Sequence, residues 1–215
     1  MRKSIFILIS LCFLPVLALG ADSKGNRKDN VISFGTSSGL ISWANVTNPI
    51  YIALPGEDWT IGLEYGSKTI SMDETTSSIK STGSFNITDT GLFARYYYGN
   101  SFNSILALNS TTSEMTVTST NASTGGSATG KLSTSAMRFT TGIGNEWTMD
   151  WGLQIGVDWL TGSALLSQSV SATMSDSSGT IDTNEAKTSM ENLGTLVNVL
   201  SSIPGIMVFR IGFSF

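Results

Sequence analysis

The strongest pattern in the chain runs from Trp147 to Trp159. There Trp147, Met149, Trp151, Leu153, Ile155, Val157 and Trp159 alternate with Thr148, Asp150, Gly152, Gln154, Gly156 and Asp158. A period of two is that of a β-strand whose two faces meet different surroundings, and soluble half-buried strands seldom carry three Trp on one face and two Asp on the other. At about 3.3 Å per residue and a tilt near 45°, twelve steps rise roughly 28 Å, close to the height of a lipid-facing band. The stretch is therefore expected to be one membrane-crossing strand. The same period recurs in Trp59, Ile61, Leu63 and Tyr65, in Leu92, Ala94, Tyr96 and Tyr98, and in Met207, Phe209, Ile211, Phe213 and Phe215.

Short turn signals at Pro55-Gly56-Glu57-Asp58, Gly99-Asn100 and Gly144-Asn145 alternate with Ser/Thr/Gly-rich stretches near 73–84, 119–130 and 172–204, which read as long loops. The strands this punctuation predicts are 31–37, 43–54, 58–72, 85–98, 101–118, 131–143, 147–168 and 205–215. The expected fold is all-β, a membrane-spanning antiparallel up-and-down β-barrel of about eight strands over residues 31–215. An even strand number puts both termini on one side, the periplasmic one.

One segment breaks the period. Over residues 184–203 the positions Met190, Leu193, Val197 and Leu200 recur at spacings of three and four, with Asp182 and Glu185 as a capping pair and Pro204-Gly205 as a stop. This predicts a helix in the last long loop, although the run from Thr195 to Leu200 also suits a strand extension. Its apolar face is expected on the barrel mouth or in the outer leaflet, open to an apolar ligand or surface partner.

Ahead of the strands, Arg2 and Lys3 precede an apolar run from Ile5 to Leu19 and the triplet Ala18-Leu19-Gly20, the order of a secretory signal. Residues 1–20 are expected to be that signal and 21–30, ADSKGNRKDN, a flexible tail too polar to pack. Cys12 would leave with the signal, so no disulfide is expected.

Aromatic residues gather beside the tight turns: Trp59, Tyr96, Tyr98, Phe102, Trp147 and Trp151, with Phe213 and Phe215 near them. Such rings settle at the membrane interface, and Trp159 is expected to mark the upper one. With these features the chain resembles the small outer-membrane barrels of the OmpA, OmpX and OmpW kind, as a pattern of strands over 31–215 rather than as aligned sequence. The sharpest likeness is the ending VFRIGFSF. The resemblance implies insertion by the barrel-assembly machinery, with Phe209, Ile211, Phe213 and Phe215 as the assembly signal, and residence in outer-membrane lipid.

Charge and composition narrow the function. The formal net charge of −4 becomes −6 without Arg2 and Lys3, and no basic stripe follows a phosphate backbone, so nucleic acid is not an expected partner. The chain has no His, which removes His-dependent acid/base and triad chemistry; no catalytic residue, cofactor or metal site is expected. Strand parity places Glu64, Lys68, Arg95, Arg138, Asp150, Asp158 and Arg210 inside the barrel, where mixed signs suit mutual pairing in a narrow lumen. The expected role is structural or surface-interacting and non-enzymatic. Transport of a small apolar molecule is the second reading, and a soluble secreted β-sandwich adhesin the third.

Overall fold

The computed structural model describes residues 22–41, 47–76, 79–121, 123–177, 183–200 and 205–215. Among them, eight strands form one closed antiparallel ring in chain order: β1 (Ser33–Ile41), β2 (Ile50–Pro55), β3 (Trp59–Thr76), β4 (Ile79–Tyr97), β5 (Phe102–Asn121), β6 (Ser127–Thr148), β7 (Leu153–Asp176) and β8 (Gly205–Ser214). β8 pairs back onto β1 from Ser33↔Ser214 to Ile41↔Ile206, so the sheet has no free edge. That closure replaces the two-sheet sandwich of the third reading. Among the described residues, α1 (Ser23–Asp29) stands at the end of the short turns and α2 (Thr183–Leu200) at the end of the long hairpins.

Over the lower half of the barrel, apolar residues point out and polar ones in. On β3, Trp59, Ile61, Leu63 and Tyr65 are exposed while Thr60 and Gly62 are buried. Bulk and space are matched across the inner face. A side chain on Gly212 would stand 2.3 Å from the Tyr51 hydroxyl oxygen, so the ring of Tyr51 needs that glycine.

Above this band the phase reverses while the period is kept. On β3, Ser67, Thr69 and Ser71 take over the outer face, and Ile70 and Met72 move to the inner one. β4 has Leu92, Ala94 and Tyr96 outside below, then Phe85 and Ile87 inside above. On β6, Phe139, Ile143 and Trp147 face out, whereas Leu132 and Ala136 face in and are buried. The barrel thus changes from a membrane-type cross-section to that of a water-soluble sheet around an apolar centre.

Several expectations are corrected. The stretches near 73–84 and 119–130 are not loops over most of their length but continuations of β3 to β6. Ser and Thr build them through cross-strand hydroxyl pairs, such as Ser81–Ser119 at 2.9 Å and Thr118–Thr129 at 3.1 Å. The alternating run from Trp147 to Trp159 is not one strand. β6 ends at Thr148, a turn with Gly152 at φ +92° follows, and β7 begins at Leu153. Four residues separate the strands, so Trp147 pairs with Ile155 on the same outer face and the alternation passes through the turn unbroken. The strand expected over 43–54 is β2 alone, with 43–46 outside the described residues, as are residues 1–21, where the secretory signal was expected.

Residues 23–29 are not a flexible tail. They form α1, with Asp22 as N-cap and Ser23 and Arg27 fully buried against the turn end. The segment docks through polar contacts rather than apolar ones. Ser23 Oγ accepts from the Thr148 amide at 3.0 Å, and Asn26 donates to the Thr148 carbonyl at 2.8 Å and to Asp150 at 2.9 Å.

Candidate functional site

The barrel axis is filled by two side-chain clusters delivered by strand parity. In the lower one, Arg95 of β4 is 0% exposed and grips Asp158 of β7 with two nitrogens, each at 2.8 Å; Nη1 also donates to Asn103 at 3.0 Å. Its Nε lies 3.8 Å from Glu146 of β6, which also accepts from the Tyr97 hydroxyl at 2.6 Å and stands 3.9 Å from Arg210 Nε. Arg210 lies over the rings of Tyr51 and Phe93, at 4.1 and 4.7 Å from their centroids. In the upper cluster, Arg138 pairs with Asp89 at 3.2 Å and donates to Thr111, while Asn109 donates to Glu64 at 2.6 Å.

Between the clusters lies a cavity of about 100 Å³, polar enough in its lining and roomy enough to hold water. Three guanidinium groups and four carboxylates surround the axis, and fixed pairs of this kind neutralise one another instead of presenting the single-sign ring of an ion filter.

Below the clusters, α1 closes the turn end. Arg27 donates to the carbonyls of Asn100 (2.8 Å), Glu57 (3.3 Å) and Gly99 (3.4 Å), and its guanidinium carbon lies 3.6 Å from the centre of the Tyr97 ring. Burial pulls this guanidinium below its ordinary value, against the opposing pull of Tyr97 and Glu146. At the rim, Lys24 bridges Asp58 at 3.0 Å and Glu57 at 3.3 Å, and these carboxylates hold its ammonium above its ordinary value.

No known protein family matches the chain, and no curated protein matches it in sequence. Solved structures similar to it include two from one organism. Acinetobacter baumannii CarO has a TM-score of 0.46 at 9% identity over 85% of this chain and 97% of its own. Acinetobacter baumannii CarO2 has a TM-score of 0.45 at 11% identity over 87% of this chain and 100% of its own. At that distance the likeness says nothing of role.

Of the residues expected in the lumen, the structure brings together Arg95, Asp158 and Arg210 in the lower cluster and Arg138 and Glu64 in the upper one. Two are placed elsewhere. Asp150 lies in the turn after β6, where it binds Asn26, because the strand that would have carried it inward ends at Thr148. Lys68 is on the inner face but above both clusters and exposed. Glu146 and Asp89 were missed. Glu146 follows Gly144-Asn145 and reads as turn, and Asp89 has only Thr88 and Thr90 beside it on the outer face, where parity has no contrast.

The aromatics Trp59, Tyr96, Tyr98 and Phe102 form a chain of rings around the turn end, with centroids 4.7, 4.9 and 5.9 Å apart in sequence. Trp151, in the turn, packs on Phe213 at 6.0 Å, and Trp147 ends the outer face of β6. Trp159 is a bulge six residues into β7, and its indole N–H donates to Asn145 within the wall at 2.9 Å. Phe209 and Ile211 line the outer face of β8, and Phe215 stacks on Phe34 at 5.6 Å across the β1–β8 seam.

The helix is present, but its covered face is turned by one residue from the expected one. α2 lies against the inner face of β6 and β7, where a side chain on Gly194 would meet Val170 at 2.7 Å and Leu132 at 3.0 Å. Met190 and Val197 are partly covered and Asn198 is 3% exposed, whereas Leu193 is 44% exposed; the Leu200 side chain lies outside the described residues. The glycine, which weakens a helix in isolation, lets the helix axis come close to the wall.

Proposed function

We propose that the chain is a non-enzymatic integral outer-membrane barrel, closed to ions along its axis, with α1 and the short turns on the periplasmic side and the long hairpins on the cell surface. In this reading the barrel-assembly machinery inserts it, and the rigid barrel serves envelope structure or surface contact. The carrying observation is the combination of an apolar outer band with an interior filled by the Arg95–Asp158–Glu146–Arg210 and Arg138–Asp89 pairs. An apolar exterior calls for lipid, because about half of each outward Trp, Ile and Leu on β3 would otherwise meet water.

The test is reconstitution into planar bilayers together with a cysteine label at Thr75, at the tip of β3, in intact cells. Labelling from outside with no stable conductance is the expected result. Reproducible open channels whose conductance changes on substituting Arg95 or Arg138 would replace this reading with transport.

A further inference from the structure

We infer that the mouth at the hairpin end is a binding site for a medium-chain carboxylate, with the head held by Lys68 and the chain lying between the free face of α2 and the inner face of β3. Two apolar walls define the site. α2 covers β6 and β7 with its Gly194–Asn198 face, which leaves Leu196 and Val199, on the opposite side of the helix, 52% and 53% exposed. In a ring of eight, β3 stands across from β7, so that free face looks toward the inner face of β3, where Ile70 and Met72 are also exposed. Ile70 and Met72 lie above the apolar outer band, level with Ser67, Thr69 and Ser71, on the side of the wall turned away from lipid. Burying such surface from water is favourable for any apolar chain that fits between, and Met72 adapts its shape to one.

Charge selects the head. Lys68 stands on the inner face beside Ile87, below the two walls, and has no carboxylate partner among the described residues. The acids beneath it are engaged, Glu64 with Asn109 and Asp89 with Arg138 and Thr111. Thr47 and Pro49 cover Gly66, the inner-face position between Glu64 and Lys68. Glu74 is six positions farther up β3, roughly 20 Å away. From Lys68 to Met72 the wall runs about 13 Å, the reach of a medium acyl chain. A single lysine matches one negative charge, hence a carboxylate.

The test places the full barrel, with ¹³C-methyl methionines, in phosphatidylcholine nanodiscs and adds dodecanoate carrying a nitroxide near its tail. Met137 faces outward in the apolar band, so its broadening by a spin-labelled phosphatidylcholine reports insertion independently of ligand. With insertion established, saturable broadening of Met72 is expected. Lys68→Gln should weaken it about fivefold, as for loss of an exposed ion pair, and Leu196→Glu should abolish it. Dodecyltrimethylammonium should compete poorly. Broadening confined to Met137, equal competition by the cationic amphiphile, or unchanged affinity in Lys68→Gln would each overturn the inference.

Discussion

Arg95 has no access to water, so its charge must be answered inside the barrel, by Asp158 on two nitrogens and by Glu146 near the third. Removing one carboxylate strands a buried cation, which is costlier than removing both members of the pair. Asp158→Asn is expected to lower stability by about 3 kcal/mol, and Arg95→Leu with Asp158→Leu by less, in urea unfolding of the barrel from lipid vesicles. A double variant less stable than the single would contradict the assignment. Strand parity made Arg95, Asp158 and Arg210 legible, since each alternates with large apolar neighbours. It could not place Asp150, because an even-numbered turn preserves parity while changing strands, nor Asp89, whose outer-face neighbours Thr88 and Thr90 are polar and leave parity no apolar side to read.

The two helices differ in what their sequences disclose. α2 showed its period, but its orientation is decided by the close approach at Gly194, which hydropathy scores as neutral. α1 gave no apolar signal because it docks on carbonyls at the ends of strands, groups that any sequence has. Its anchoring is nonetheless specific. Arg27→Glu should free the helix, seen as cleavage by trypsin after Lys28 on the order of tenfold faster, with conductance still absent because the ion-paired clusters above remain. The Lys24 contribution has a defined sign. Its value is raised in the folded barrel, so the contribution is in place below the ordinary lysine value of 10.5 and is lost as pH climbs through the raised one. A nitroxide at Asn30 is expected to keep its mobility from neutral pH up to that value and to gain it beyond. At the seam, Phe34 and Phe215 stack where β8 meets β1, and the Phe215 carbonyl accepts from the amides of Val31 (2.6 Å) and Ile32 (3.1 Å). Phe215→Ala should lower the temperature at which the barrel loses its compact electrophoretic form, without altering strand content by circular dichroism.

For the whole molecule, the change of phase between Tyr65 and Ser67 on β3, repeated between Leu92 and Thr90 on β4 and between Leu108 and Ser110 on β5, acts as a waterline. A barrel with uniform alternation could ride higher or lower as the surrounding lipid thickened. This one cannot sink, since each further step would carry a row of hydroxyls into hydrocarbon and take nothing apolar out of water. The surrounding bilayer must therefore adjust its own thickness at the protein's flank. A nitroxide at Ser67 is expected to stay aqueous in bilayers of chain length from twelve to eighteen carbons, while one at Leu63 stays in lipid throughout. The protein should gather the thinner patches of any membrane it occupies.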